Sequence, residues 1–157
     1  MNREDLEQAA LHPNVKAFLR AIRLGEGTSG EDGYRILVGG GTFPAPPWVH
    51  PQKRVYLPRY NVYSTAAGAY QFLSRTWAEM ADKYGLEDFD PGNQDLAAIG
   101  LIARRGALQD VLEGRIETAI EKCRLEWASL PGSPYGQRTE KLNDVLAEYE
   151  THGGTFA

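Results

Sequence analysis

The stretch that decides the fold is FLRAIRLGEGTSGEDGYRILVGG, residues 18–40, which begins as an amphipathic helix and then places one acid between two glycines. Apolar residues before and within it recur at the three-and-four spacing of a helical face that packs on a core. They are Val15, Phe18, Leu19 and Ile22. This spacing predicts a helix from about Asn14 to Gly25. Glu26 follows Ile22 by four residues, so it shares the buried face.

Glycine on both sides of Glu26 suggests a particular setting for the acid. Gly25 and Gly27 favour the end of a helix and leave room for another molecule to approach. A carboxyl group at the rim of a core loses hydration, which raises its pKa and lets it donate a proton near neutral pH. An isolated Glu-Gly pair is more often a solvated part of a terminal turn, so other residues must support a chemical role.

The composition favours a single globular unit. With 157 residues, 42% of them hydrophobic, we expect one domain over residues 1–157, with residues 1–12 as an N-terminal arm. No apolar run approaches the roughly 20 residues that span a bilayer, and the first residues lack the pattern of a secretory signal, so we expect no membrane insertion. The one cysteine, Cys123, lies on an apolar stripe and is predicted to be a core thiol.

Cofactor and nucleic-acid sites are not indicated. The net charge is −4, and we find no run of Lys and Arg interleaved with aromatics, so nucleic acid is not expected as a partner. His12, His50 and His152 are far apart and there is no cysteine pair, which argues against a transition-metal site. Residues 39–41 are glycines, but they lack a phosphate-loop or dinucleotide pattern; we interpret them as a turn and expect no cofactor.

The order of elements predicts an α+β fold. Alternating Tyr34, Ile36 and Val38, followed by the run KRVYLPRYNVYS at residues 53–64, predict a small irregular β lobe. From Gly68 onwards the period is helical. A stripe there consists of Leu73, Trp77, Met80 and Tyr84.

Capping signals locate the remaining helices. Asp90-Pro91 starts a helix that closes at Gly106. Further helices are predicted at residues 3–11, 107–113, 115–128 and 139–152. The last should bury Leu142, Val145, Leu146 and Tyr149.

Five motifs occur in the same order and with similar spacing as in a known family: LGEGT, GYRILVGG, STAAGAYQFLSRTW, QDLAAIGLIARRGAL and WASLPGSPYGQ. They resemble the bacteriophage lambda endolysin family of peptidoglycan lytic transglycosylases, from about Ala17 to Thr155. The first dozen residues and the proline-rich TFPAPPWVHPQ lie outside the resemblance. It implies a lysozyme-like fold, mostly helical, in which the β lobe forms one wall of a cleft.

The resemblance also implies roles for individual residues. Glu26 would be the catalytic acid, and AAGAYQ would line the cleft beside it. Two loops, roughly Lys53 to Ser64 and Ser129 to Lys141, would form lips over the glycan. Aromatic and amide side chains suit sugars, because rings cover pyranose faces and amides bond to hydroxyls. The substrate-binding candidates are Tyr34, Tyr60, Tyr63, Tyr70, Gln71, Tyr135 and Gln137.

The number of acids separates the candidate reactions. Most glycosidases use two carboxylates, and Glu31 and Asp32 are the candidates for a second, although a solvated turn is their commoner setting. The resemblance implies a single-acid reaction that leaves 1,6-anhydro-muramic ends. A hydrolytic muramidase with Glu31 or Asp32, and a catalytically silent glycan-binding or phage-structural module, stay as alternatives.

The resemblance implies a biological setting as well. The expected partner is the peptidoglycan strand, met by a monomer. We expect the chain to wait in the host cytoplasm until a separate holin permeabilises the membrane and gives it access to the periplasm.

Overall fold

The computed structural model describes residues 1–132 and 140–157, and it confirms the predicted α+β class. The helices are α1 Arg3–Ala10, α2 Pro13–Glu26, α3 Ser74–Tyr84, α4 Pro91–Arg104, α5 Leu108–Leu112, α6 Ile116–Cys123 and α7 Leu142–Thr151. Two strands, β1 Val55–Leu57 and β2 Val62–Ser64, form an antiparallel pair, and Gly33–Arg35 is a 3₁₀ turn. No helix among the described residues is long and apolar enough to cross a membrane.

Helix α2 forms where the apolar spacing predicted it and extends to Glu26. The His12 ring accepts a hydrogen bond from the Asn14 amide at 3.0 Å, and Pro13 occupies the first turn, where no amide donor is needed. At the other end Gly27 is left-handed, with φ of 72°, and stops the helix. The apolar face of α2 is fully buried and packs against α7 and α5. This fixes the end of α2 relative to the helical body.

Helix α4 is the centre of the helical body. Asp90 caps it by accepting from the Asn93 amide at 2.8 Å, and Pro91 follows, as predicted. Helix α1, predicted to be part of an N-terminal arm, packs against α4 with Leu6 fully buried. Residues 3–10 are therefore part of the helical core.

The β lobe is less regular than the alternation of Tyr34, Ile36 and Val38 predicted, and the strand expected there is absent from the described residues. The segment contains the 3₁₀ turn and two isolated bridges, Ile36 with Thr42 and Leu37 with Ala67. The physical reason is that Gly39 and Gly40, both at positive φ, reverse the chain directly after Val38. The predicted glycine turn is confirmed.

Some helix boundaries and buried positions were predicted incorrectly. Helix α6 ends at Cys123 instead of residue 128. Leu73 is the residue before α3 and is 49% exposed, and Leu142 at the start of α7 is exposed as well, whereas Val145 and Tyr149 are buried. Cys123 is fully buried, as expected, and burial raises the pKa of its thiol to about 12.

Candidate active site

A cleft of about 690 Å³ separates the helical body from the β lobe. Its walls are the end of α2, the turn at residues 36–40, the β1–β2 hairpin, the segment before α3, and residues 126–129 after α6. A second open groove, of about 650 Å³, lies between α1 and the α4–α5 region and contains none of the residues predicted for the site. The chemistry therefore has to be sought in the first cleft.

Glu26 is the last residue of α2, and its side chain lines this cleft. Because the helix holds it against the core, burial raises its pKa from 4.5 to about 7. The Ser129 hydroxyl acts in the opposite direction and more weakly. Glu26 can therefore carry a proton at neutral pH, as a general acid must.

Ser129 approaches Glu26 closely because residue 25 has no side chain. A Cβ atom at Gly25 would lie 2.5 Å from the Ser129 Oγ atom. Gly25 lies inside α2, so its main role is this close approach and not the helix ending predicted from the sequence. The buried Oγ atom makes no hydrogen bond of ordinary geometry to the described residues in this conformation, so the hydroxyl is available to an ionised Glu26. Ser129 was predicted only as the first residue of the second lip; its place beside Glu26, 103 residues away in the chain, was not predicted.

The loop that follows Glu26 is pinned by a buried arginine. The Arg23 guanidinium donates to the Thr28 carbonyl at 2.7 and 3.0 Å and to the Gly30 carbonyl at 3.0 Å. Its carbon lies 4.7 Å from the centre of the Tyr34 ring. The Thr28 hydroxyl donates to the Ala69 carbonyl, which ties the loop to the buried segment before α3. These bonds hold the acid in a fixed position.

Tyr34 and Tyr70 form the support beneath the cleft. Both hydroxyls donate to the same Asp95 oxygen, at 2.9 and 2.6 Å, and Tyr70 is only 2% exposed. Burial raises the pKa of Asp95, while the two tyrosine hydroxyls lower it. Neither tyrosine lines the main cleft, although Tyr70 lines a neighbouring cavity of about 250 Å³ together with Gln71, and their contact with a sugar stays a prediction.

Gln71 does line the cleft, in a conformation that is unusual for a residue other than glycine, with φ of 51°. Its side-chain nitrogen donates to the Gly68 carbonyl at 2.8 Å and to the Ile36 carbonyl at 3.1 Å. The amide plane is therefore fixed, and within the described residues its oxygen accepts no hydrogen bond. That oxygen is suited to bind a sugar hydroxyl or amide.

The β1–β2 hairpin supplies the aromatic wall. Tyr60 and Tyr63 line the cleft and are 38% and 60% exposed, so they do not simply pack the β lobe. Arg59 and Arg54 lie over their rings, at 5.6 and 4.6 Å respectively. Residues 53–63 thus interleave basic and aromatic side chains, so the statement that the chain has no such run was wrong.

The two predicted second acids are not in the cleft. Glu31 and Asp32 are exposed, and Asp32 pairs with Arg35 at 3.0 Å. A different acid, Glu126, lines the cleft and was missed because no local pattern distinguishes it. Arg104 and Arg105 donate to the same oxygen of Glu126, at 2.8 and 3.0 Å.

Two predicted contacts, Tyr135 and Gln137, lie outside the described residues. Within residues 1–132 and 140–157, no group of three or more His, Cys, Asp and Glu side chains is arranged to hold a metal ion. The cleft thus combines the partly buried Glu26, the arginine-paired Glu126, a hydroxyl near Glu26, a fixed amide and two exposed tyrosines.

Comparisons with known proteins agree with this arrangement. The family model for endolysins matches residues 16–156. The endolysin of Escherichia phage P2 is 38% identical, over 93% of this chain and 96% of its own, and that of Escherichia phage lambda is 41% identical, over 89% and 91%. The structure of bacteriophage lambda lysozyme in complex with a chitohexasaccharide superimposes with a TM-score of 0.86 at 39% identity, covering 94% of this chain and 98% of that one. A further structure of lysozyme from bacteriophage lambda gives a TM-score of 0.83 at 38% identity, with the same coverage. The lysozyme-like fold is therefore confirmed, and the chain belongs to the endolysin family.

Proposed function

We propose that this protein cleaves the β-1,4 bond between N-acetylmuramic acid and N-acetylglucosamine in peptidoglycan, by lytic transglycosylation, and so lyses a bacterial host. The observation that carries the proposal is the electrostatic setting of Glu26. It lies in a cleft beside aromatic and amide side chains, with a pKa of about 7. Neither of its acidic neighbours in sequence, Glu31 and Asp32, lines that cleft.

In this reaction one carboxyl group serves twice. Protonated Glu26 gives its proton to the glycosidic oxygen as the bond to C1 of the muramic acid breaks. The resulting carboxylate then takes the proton of the C6 hydroxyl of the same sugar, whose oxygen forms a new bond to C1. Glu26 ends protonated again, and no water is consumed. The N-acetyl group of the substrate shelters the positive charge that develops at C1, so no protein nucleophile is needed.

Ser129 fits the second half of this cycle. Its hydroxyl favours the charged form of Glu26 and is available when the carboxyl group has lost its proton. The pKa of about 7 results from burial opposed by this hydroxyl, and it allows both forms of the acid at neutral pH.

Glu126 favours the alternative, a hydrolytic muramidase with two acids, because it lines the same cleft as Glu26. Its two arginine partners argue against such a role, since Arg104 and Arg105 already occupy one oxygen of the Glu126 carboxylate. We therefore assign Glu126 to holding residues 126–129 against the end of α4.

The bound chitohexasaccharide in the lambda lysozyme structure supports the binding of an N-acetylated glycan in this cleft. A chitooligosaccharide lacks muramic acid at the scissile position. It should therefore bind to this protein and resist cleavage.

Product analysis tests the reaction directly. Transglycosylation leaves muropeptides that end in 1,6-anhydro-muramic acid, whereas hydrolysis leaves reducing ends that are heavier by one water per cut. Mass spectrometry of digested peptidoglycan separates them. Mainly reducing-end products, or fast cleavage of chitohexaose, would overturn the transglycosylase in favour of a hydrolase with Glu126 as the acid to examine first. A pure glycan-binding module would give no products at all.

The biological setting is part of the proposal. A protein with this activity would act as a monomer that stays in the host cytoplasm until a holin opens the membrane, and would then reach the wall from the periplasm. Lysis timing in cells expressing the chain with and without a holin tests this requirement. Equal timing in both would contradict it.

A further inference from the structure

Charge is divided unequally between the two walls of the cleft. Residues 33–78 contain five basic residues and no acidic residue, although the whole chain has 17 basic and 21 acidic residues. All 21 acids therefore lie in residues 1–32 and 79–157, which form the helical body and the loop at the end of α2. The net charge of −4 is therefore the sum of a positively charged β lobe and a negatively charged helical body.

The basic residues of the lobe are concentrated on the β1–β2 hairpin. Lys53, Arg54 and Arg59 are exposed, and within the described residues none of them forms an ion pair. The other two basic residues are Arg35 and Arg75, which pair with Asp32 and Glu79. Three positive charges that form no ion pair with the described residues therefore lie on one hairpin, and two of them lie over tyrosines that line the cleft.

Two of these positive charges belong to arginines that stack on tyrosine rings. The Arg54 guanidinium lies 4.6 Å from the centre of the Tyr63 ring, and Arg59 lies 5.6 Å from that of Tyr60. Both rings line the cleft. The guanidinium groups are thus held at the outer edge of the surface that a bound strand would contact, where less side-chain entropy is lost on binding.

We infer that the hairpin surface formed by Lys53, Arg54 and Arg59 binds the carboxylates of the peptide arms that extend from the glycan strand. This inference rests on the proposed function and specifies its substrate: a strand that carries anionic side arms and not a neutral sugar polymer. Guanidinium groups match carboxylates in shape and charge, and two of them stack on tyrosines that line the cleft where the strand would lie. Three charges on one short hairpin are few for a nucleic-acid site.

The test neutralises the charges on either partner. Native peptidoglycan is compared with a preparation whose carboxylates have been coupled to methylamine by carbodiimide, which makes them neutral amides and leaves the glycan intact. The variant is the double substitution Lys53→Gln and Arg59→Gln. The matched control, Lys16→Gln with Lys83→Gln, removes the same charge from exposed positions on α2 and α3. Cleavage rates and sedimentation with insoluble wall are both measured at low and high salt.

At low salt we expect the parent and the control to cleave and bind native wall roughly threefold to tenfold better than amidated wall, as two exposed charge contacts allow. Salt of about 0.5 M should remove the difference, because it screens exposed charges. The hairpin variant, which keeps Arg54, should lose most of this preference at low salt.

Three outcomes would overturn the inference. The hairpin variant could keep the parent's preference, the parent could show none, or the variant could lose activity equally on both preparations, which would place the charges against the sugars. If the parent binds native wall preferentially but releases no product, the proposed reaction fails while this inference stands. Retention of the preference, with loss of binding to anionic phospholipid vesicles or to an oligonucleotide, would reassign the hairpin to a membrane or to nucleic acid.

Discussion

Replacing Glu26 with Gln should change activity and stability in opposite directions. The amide cannot give up a proton, so we expect wall-lytic activity to fall by a factor of about 10² to 10⁴. Stability should rise at alkaline pH. Because burial raises the pKa of Glu26 from 4.5 to about 7, the folded protein retains a proton between these values that the unfolded chain has released. The folded state of the parent therefore loses stability as the pH rises through this window, and the variant does not.

The size of the effect follows from the pKa shift. A shift from 4.5 to about 7 corresponds to about 3 kcal/mol once both states are ionised. The carboxyl group also faces an open cleft, so solvent reduces the penalty, and we expect Glu26→Gln to gain about 1–2 kcal/mol at pH 8. Below pH 4.5 the carboxyl group is protonated in both states, and the two proteins should unfold at the same denaturant concentration.

Urea unfolding at about pH 4, 6 and 8, followed by tryptophan fluorescence, measures the stability difference, and clearing of permeabilised cells measures lysis. Glu31→Gln is the matched control, because Glu31 is exposed and lies outside the cleft. Equal stability of parent and Glu26→Gln at all three pH values would show that burial does not penalise the charge. Comparable lysis by the two proteins would remove Glu26 from catalysis.

Three further predictions concern the surroundings of Glu26. The rate of wall cleavage by the parent should fall about tenfold per pH unit above pH 7, and Ser129→Ala should move this decline to higher pH, because it removes the hydroxyl that lowers the pKa of Glu26. A pH profile of kcat/KM that is the same in both proteins would contradict this. Gly25→Ala should lower the free energy of unfolding by about 1–3 kcal/mol in urea, because its methyl group meets Ser129, whereas Gly30→Ala, with open space around it, should change it little. Equal losses in the two variants would refute the close contact. Asp95→Leu should destabilise the protein by about 2–4 kcal/mol, and Asp95→Asn by less, because the asparagine oxygen can still accept hydrogen bonds from Tyr34 and Tyr70. Equal losses of stability in thermal unfolding would show that the charge of Asp95 matters more than its hydrogen-bond acceptor.

The parts of the fold that local sequence specifies were predicted well. Helix α2 and the start of α4 follow from apolar spacing and from capping residues a few positions away, such as Asp90 with Pro91. Tyr34 was placed incorrectly, because alternation describes a strand only if the neighbouring backbone supplies a partner. Here the chain turns at Gly39, and the Tyr34 hydroxyl bonds to Asp95, 61 residues away.

In the candidate site, too, the residue whose position depends on local sequence was predicted. Glu26 could be found because its position depends on a single helix, and burial at the end of that helix explains its pKa. Ser129 and Glu126 could not be found, because their places in the cleft depend on how residues 126–129 pack against α2 and α4. Such long-range contacts leave no periodic trace in the sequence.

The separation of charge between the two walls of the cleft has a practical consequence for handling the protein. A calculated isoelectric point of about 5.4 recommends an anion exchanger at neutral pH. A molecule with a cationic face and an anionic body can orient itself, so we expect it to be retained on a cation exchanger too, well above its isoelectric point. In the same orientation the cationic lobe and the open cleft would face any polyanionic surface. Net charge alone therefore does not predict how the molecule binds to such a surface.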